Sequence, residues 1–270
     1  MKSTPFKQSL ILSVLLVLVC IGCASKQNTP KLNSTLTPGW DTIKTSFTSA
    51  VKDPHTWLPL LGASIFLIED YDEQISSWAV KHTPIFGSDY DALDYSDKLK
   101  NLSRTNYFVT VIALPADTIQ IGIYDKSINL AFGLSAFSIN SNITSSLKKI
   151  SDRNRPNNSN NLSFPSAHAS SSTISARLSS RNIEKVTISK TAKRVWQFSS
   201  MSIAGLTSWA RVEGGIHYPS DVLAGYALGN FIGAFLNDAF IAPDYQHRIH
   251  IDTYINTSQE TYFSITFQFQ

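Results

Sequence analysis

Cysteine is almost missing from this chain. The only two, Cys20 and Cys23, lie close together near the N-terminus, and none follows them. The body after them therefore has no disulfide and no cysteine-ligated metal site. Charge is also scarce, at 16% of residues against 43% hydrophobic. Neither sign is in excess. Without residues 1–22 the net charge falls from +3 to +1, from 21 basic and 20 acidic residues. Such a balance gives no electrostatic footprint for a nucleic acid partner. Long apolar runs are lacking too. The stretch Leu10 to Gly22 falls short of the roughly 20 residues a membrane span needs. There is no internal repeat. The 270 residues suffice for one good core or two small ones.

What is present begins with a leader. Lys2 and Lys7 precede the apolar run, and Cys23 closes it. A basic start, a short apolar stretch and small residues at its end describe an export signal over residues 1–22. The string "CIGC" resembles a lipobox, with Gly22 and Cys23 in the expected places and Cys20 where leucine is usual. That resemblance implies cleavage before Cys23, a lipid on its sulfur and a periplasmic, outer-membrane destination in the cell envelope. Residues 23–39 are the lipidated cysteine and a polar tether. A coil of that length spans roughly 20–25 Å. The folded body is expected over residues 40–244.

Within the body the apolar pattern is mostly helical. Helices are expected over Thr56–Ile68, Asn106–Tyr124, Ser127–Leu147, Ala167–Asn182, Ala192–Arg211 and Ser220–Phe240. The last is apolar on nearly every face, which suits a buried central helix. Gly225, Gly229 and Gly233 make a small-residue stripe along it, where another helix can approach. Residues 245–270 alternate instead and read as a β-hairpin packed on the helical body.

The stretch "NNLSFPSAHASSS" holds one histidine, His168, among small residues. Upstream stand Lys148, Arg155 and Pro156. Downstream stand Arg211, His217 and Asp221. Each piece alone is bland. Together they are three cations, two imidazoles and a carboxylate, in segments punctuated by Gly and Pro, where loops can converge on one pocket.

The spacing resembles that of the type 2 phosphatidic acid phosphatases, relatives of bacterial acid phosphatases and vanadium haloperoxidases. Lys148 is followed after six residues by Arg155-Pro156, then comes Pro165-Ser166-Ala167-His168. Ala210-Arg211, five residues, His217, three residues and Asp221 complete the pattern. Ala167 stands where the family has glycine, and Ala210 where it has serine. The resemblance implies an all-α helical bundle of the acid phosphatase/haloperoxidase type, here with a C-terminal β-hairpin. It also implies a phosphatase acting on phosphate monoesters or pyrophosphate ends, with lipid phosphates or small phosphoesters as substrates.

In that scheme Lys148, Arg155, Ser166, the Ala167 amide and Arg211 hold the phosphoryl oxygens. His217 attacks phosphorus to form a phosphohistidine. Asp221 fixes its tautomer. His168 protonates the leaving oxygen and later activates water. With three fixed cations, no metal and no cofactor is expected. Two rivals remain: a vanadate-dependent haloperoxidase with His217 as ligand, and an inactive envelope binding protein on the same fold.

Other acidic clusters read as solvated loops. These are "DYDALDYSD", Asp89 to Asp97, and "EDYDE", Glu69 to Glu73. His247 and His250 fall on opposite faces of the alternating segment, which argues against joint metal binding.

Overall fold

The computed structural model describes residues 39–68, 71–116, 119–241, 249–255 and 261–267. The leader, the tether and His247 lie outside them. Eight α-helices run through the described body: α1 (Trp40–Lys52), α2 (Pro54–Ile68), α3 (Tyr71–His82), α4 (Asp89–Ile112), α5 (Ile119–Ser151), α6 (Ala167–Lys185), α7 (Lys190–Glu213) and α8 (Pro219–Leu236). A single π turn, Asn237–Ile241, ends α8. Beyond it β1 (Ile249–Ile255) and β2 (Thr261–Phe267) run antiparallel, with Ile251 opposite Ile265.

The bundle is built on α6 and α8. The glycine stripe of α8 faces α6 closely. A Cβ at Gly225 or Gly229 would overlap the carbonyl oxygens of Ser166 or Ser170. One at Gly233 would press on the Arg177 stem. Gly229→Ala should therefore wedge the helices apart and lower stability by about 1–3 kcal/mol. Gly205, whose Cβ would meet nothing, is the control. Gly205→Ala should leave Tm unchanged or raise it slightly, since alanine is the better helix former.

Helix α6 is polar in composition yet buried, with Ser170, Ser172, Thr173, Ser175, Ser179 and Asn182 all inside. Their hydroxyls are small, and several bond back to the preceding turn. Thr173 donates to the Ala169 carbonyl at 2.9 Å and Ser180 to Ala176 at 2.7 Å. This satisfies the polar groups locally and lets neighbouring helices sit close. The main apolar core joins Tyr107, Val111, Ala136, Ile174, Leu178, Ile232 and Leu236.

Three sequence expectations need correction. The apolar segment Asn106–Tyr124 is two helices rather than one. Helix α4 ends at Ile112, and Pro115 follows two residues past the cap. Proline lacks the N–H and disfavours helix in the residue before it. The stretch Asp89 to Asp97 is no loop but the opening of α4. Ser88 caps it, its Oγ accepting the Asp91 N–H at 3.0 Å. Part of "EDYDE" opens α3, and Asp72 there is buried, not solvated. Among the described residues, no helix is long and apolar enough to cross a membrane. No cluster of three or more His, Cys, Asp or Glu side chains there could hold a metal.

Candidate active site

Three chain reversals bring the motif residues together. The first follows α5, which ends just after Lys148. The loop from residue 152 to 161 turns through positive φ at Asp152 (46°) and Asn158 (55°), residue types that tolerate it. It is pinned by its own backbone: Arg155 N donates to Asn160 O at 3.0 Å, and Asn157 N to Gly215 O at 3.0 Å. The Arg155 Nε donates to Asn160 Oδ1 at 2.9 Å. That leaves the outer guanidinium nitrogens for a ligand.

The second reversal starts α6. Ser166 is its N-cap, with Oγ accepting from the Ala169 amide at 3.4 Å. Ser166 is fully buried, and its own amide donates to the Asp221 carbonyl at 3.0 Å. Ala167 opens the helix, so its φ is negative and alanine fits without strain. The N–H groups of the first turn are the ones a helix leaves unpaired, at its positive end. His168 is in this turn.

The third reversal joins α7 to α8. Gly215 takes φ of 66°, the left-handed conformation that glycine allows. The chain folds back so that the Ile216 and His217 amides both reach the Arg211 carbonyl, at 3.3 and 3.2 Å. Pro219 then starts α8, and Asp221 falls in its first turn. The five residues between Arg211 and His217 are what this turn needs.

Electrostatics tie these segments into one field. His217 is 2% exposed. Burial pushes its pKa down to about 4, against the pull of Asp221, with Lys148 and Arg211 adding to the depression. Its Nδ1 faces Asp221 Oδ2 at 3.6 Å. Burial, then the charge of Arg155, with Arg211 adding, lowers Lys148 to about 8. Burial likewise lowers Arg211 to about 10, with Arg155 adding. His168 is pushed to about 4 by burial and by Arg211, with Lys100 adding and Asp97 opposing. One buried and two half-buried cations thus share a field with two imidazoles. The Arg211 Nε is buried with no hydrogen-bond partner. Lys148 meanwhile donates to the Leu162 carbonyl at 2.6 Å.

Residues 128–241, from within α5 to the π turn, match the family model of the PAP2 superfamily. Every motif residue lies inside the PAP2 match. No curated protein matches the chain. Among solved structures, the fold is similar to a transmembrane PAP2-type phosphatidylglycerolphosphate phosphatase from Bacillus subtilis. The two share 19% identity over 71% of this chain and 94% of that one, with a TM-score of 0.51.

Several residues around the PAP2 motif escaped the sequence reading. Arg153, two positions before Arg155, bridges two buried carboxylates. It meets Asp72 Oδ2 at 2.7 Å and Asp221 Oδ1 at 2.7 Å. Asp72 also accepts from the Ser220 amide at 2.8 Å. Ser163 donates to Asp221 Oδ2 at 2.5 Å and Tyr218 N to the same oxygen at 2.8 Å. Asp221 is therefore held by three donors, and its Oδ2 lies 3.6 Å from His217 Nδ1. Glu213 is fully buried and ties the Ile85 and Phe86 amides, each at 3.0 Å, to the end of α7. On α4, Ser96 accepts from Arg211 NH1 at 2.8 Å, while Asp97 and Lys100 reach His168.

Proposed function

We propose that this chain is a metal-independent phosphatase that hydrolyses phosphate monoesters or pyrophosphate ends through a phosphohistidine. The observation that carries the reading is a neutral, buried imidazole facing a carboxylate within the field of Lys148 and Arg211, with Arg155 beside Lys148. Arg155 and Arg211 depress Lys148, and Lys148 and Arg211 depress His217. Cations pushed together in this way destabilise the protein unless an anion comes between them. A phosphoryl group in transfer spreads its charge over equatorial oxygens, which such a cradle stabilises.

With Asp221 facing Nδ1, the Nε2 lone pair of His217 attacks phosphorus. The bond to the leaving oxygen breaks, and His168 gives it a proton. Water then transfers a proton back to His168 while its oxygen bonds phosphorus. The P–N bond breaks, and phosphate and neutral His217 are released.

Lipid phosphates are the proposed substrates. An apolar groove of about 770 Å³ opens among α2, α3, α7 and α8, lined by Leu58, Phe66, Trp78, Trp209 and Leu223. Pro219, two residues from His217, also lines it. A groove of that chemistry suits an acyl or prenyl chain. Domain organisation follows the sequence: a signal over residues 1–22, a lipidated Cys23 with its tether to residue 39, the phosphatase body over 40–244 and a C-terminal hairpin over 245–270. The lipid would hold the enzyme on the periplasmic side of the outer membrane.

A phosphate-release screen of residues 24–270 tests the reading. Lipid phosphates, pyrophosphate ends and p-nitrophenyl phosphate are compared, with and without EDTA. Release unchanged by EDTA, and faster on lipid than on soluble esters, is expected. Halide oxidation with vanadate and peroxide in place of hydrolysis would make it a haloperoxidase. No turnover of any ester would leave a binding protein on the fold.

A further inference from the structure

The acid His168 has neighbours of its own, and they come from the stretch of α4 that the sequence presents as a solvated acidic run. Asp97 Oδ1 is 2.9 Å from His168 Nε2. Lys100 Nζ is 3.0 Å from the same nitrogen and 2.6 Å from the same carboxylate oxygen. A carboxylate and an ammonium thus meet at one ring nitrogen. The two contacts on Nε2 are mutually exclusive. A protonated Nε2 donates to Asp97, whereas a bare Nε2 lone pair accepts from Lys100.

We propose that Asp97 and Lys100 form an opposed pair that sets the charge of His168: Asp97 holds the imidazolium and Lys100 holds the neutral ring. The proposal rests on the reading of His168 as the leaving-group acid. Such an acid needs this control because its surroundings oppose its charge. Arg211 faces it from α7 and Lys100 from α4, and Asp97 is the carboxylate that acts against them. An arriving phosphoryl dianion adds negative charge beside Arg211 and so tips the ring toward the imidazolium. It then swings its Nε2 proton from Asp97 to the leaving oxygen, which leaves Nε2 bare, and the attacking water returns a proton to Nε2. Lys100 stabilises the neutral interval between those steps and Asp97 the charged one. Neither touches phosphorus in this scheme, so both are positioning residues. Asp97 has a side chain 58% exposed, against 21% for Lys100. Substitution at Asp97 therefore leaves the core intact, and solvent screening keeps its influence modest.

Separating this pair from a structural contact takes substitutions whose effects have opposite signs. The imidazole of His168 is titrated by nitrogen-detected NMR in wild type, Asp97→Asn, Asp97→Glu and Lys100→Gln, its signal assigned by its loss in His168→Gln. Removing the carboxylate should lower the His168 midpoint by about one pH unit, and removing the ammonium should raise it by a similar amount. Asp97→Glu should restore most of the wild-type value. In 1 M salt the shifts should shrink. The alkaline limb of kcat on an alkyl phosphate should move the same way: to lower pH in Asp97→Asn and to higher pH in Lys100→Gln. Midpoints that stay put in both variants, or that move together, overturn the pairing. If His168→Gln hydrolyses the alkyl phosphate as fast as wild type, the acid role of His168 fails. Opposite NMR shifts would still locate the charge control at this ring.

Discussion

Exchanging His217 for glutamine should cut phosphate release by a factor on the order of 10⁴ or more and leave the fold standing. The size of the loss follows from the role. Without the imidazole there is no group to bond phosphorus, and the cradle can only bind the ester. The survival of the fold follows from Asp221. It keeps the Ser163 hydroxyl, the Tyr218 amide and Arg153 whether or not His217 is present. Glutamine keeps most of the buried volume. Rapid acid-free quenching of wild type during turnover should trap an acid-labile phosphoramidate that the variant never forms. Equal turnover by the two proteins would remove the nucleophile from the scheme.

The pH profile carries a second check on the same residue. Burial holds the His217 imidazole at about 4, so the attacking nitrogen is free at every pH above that. The acid limb of kcat/KM belonging to this group should lie near pH 4 rather than near the ordinary histidine range. The sign for stability is the same. A histidine held below its unfolded value favours the folded chain fully above about pH 6.5 and loses that contribution as pH falls through 4.

Much of the site was legible because the motif residues sit where backbone geometry dictates their spacing. Five residues between Arg211 and His217 are what a helix end, a left-handed glycine and a proline helix start require. The glycine stripe of α8 likewise announced a close helix contact, and α6 fills it. What stayed illegible has a common cause. Asp72 and Asp97 lie in acidic runs, and acidic runs normally face water. The counter-signal lay in the small residues at helical spacing beside them. Asp72, Ser76 and Ala79 form one buried stripe of α3, and Ala92, Ser96 and Ser103 one of α4. Arg153 was hidden by its neighbour, since the motif singles out Arg155 and has no place for a second arginine in the same loop. Helix α6 misleads by composition, because serine is counted as polar yet here pays its hydrogen bonds within its own helix.

Arg153→Met should cost the folded protein about 3–5 kcal/mol, a large part of the 5–15 kcal/mol that holds a typical domain. The guanidinium stands between two carboxylates that are almost wholly inside, with Asp72 side chain 5% and Asp221 0% exposed. It also lies 4.2 Å from the Tyr218 ring centre and donates to the Ser220 hydroxyl at 2.7 Å. Without it two buried negative charges face each other uncompensated. Methionine fills the stem but not the charge. At roughly 2–4 °C per kcal/mol for a chain of this size, Tm should fall by about 10 °C. The loss should depend on pH in a definite direction. Burial alone would raise the Asp221 carboxyl, but the neighbouring His217, the charge of Arg153 and the Ser163 hydroxyl outweigh it and hold it below the ordinary value. The stability this brings is complete above the unfolded carboxyl range and fades as pH falls through the lowered one. Wild type and variant should therefore differ most at neutral pH and converge in acid. Adding Asp72→Asn to Arg153→Met removes one of the two stranded charges and should recover part of the deficit, a coupling that a double-mutant cycle reads directly. Additive losses at neutral pH, or a gap that widens in acid, would mean that the bridge does not hold Asp221 in place.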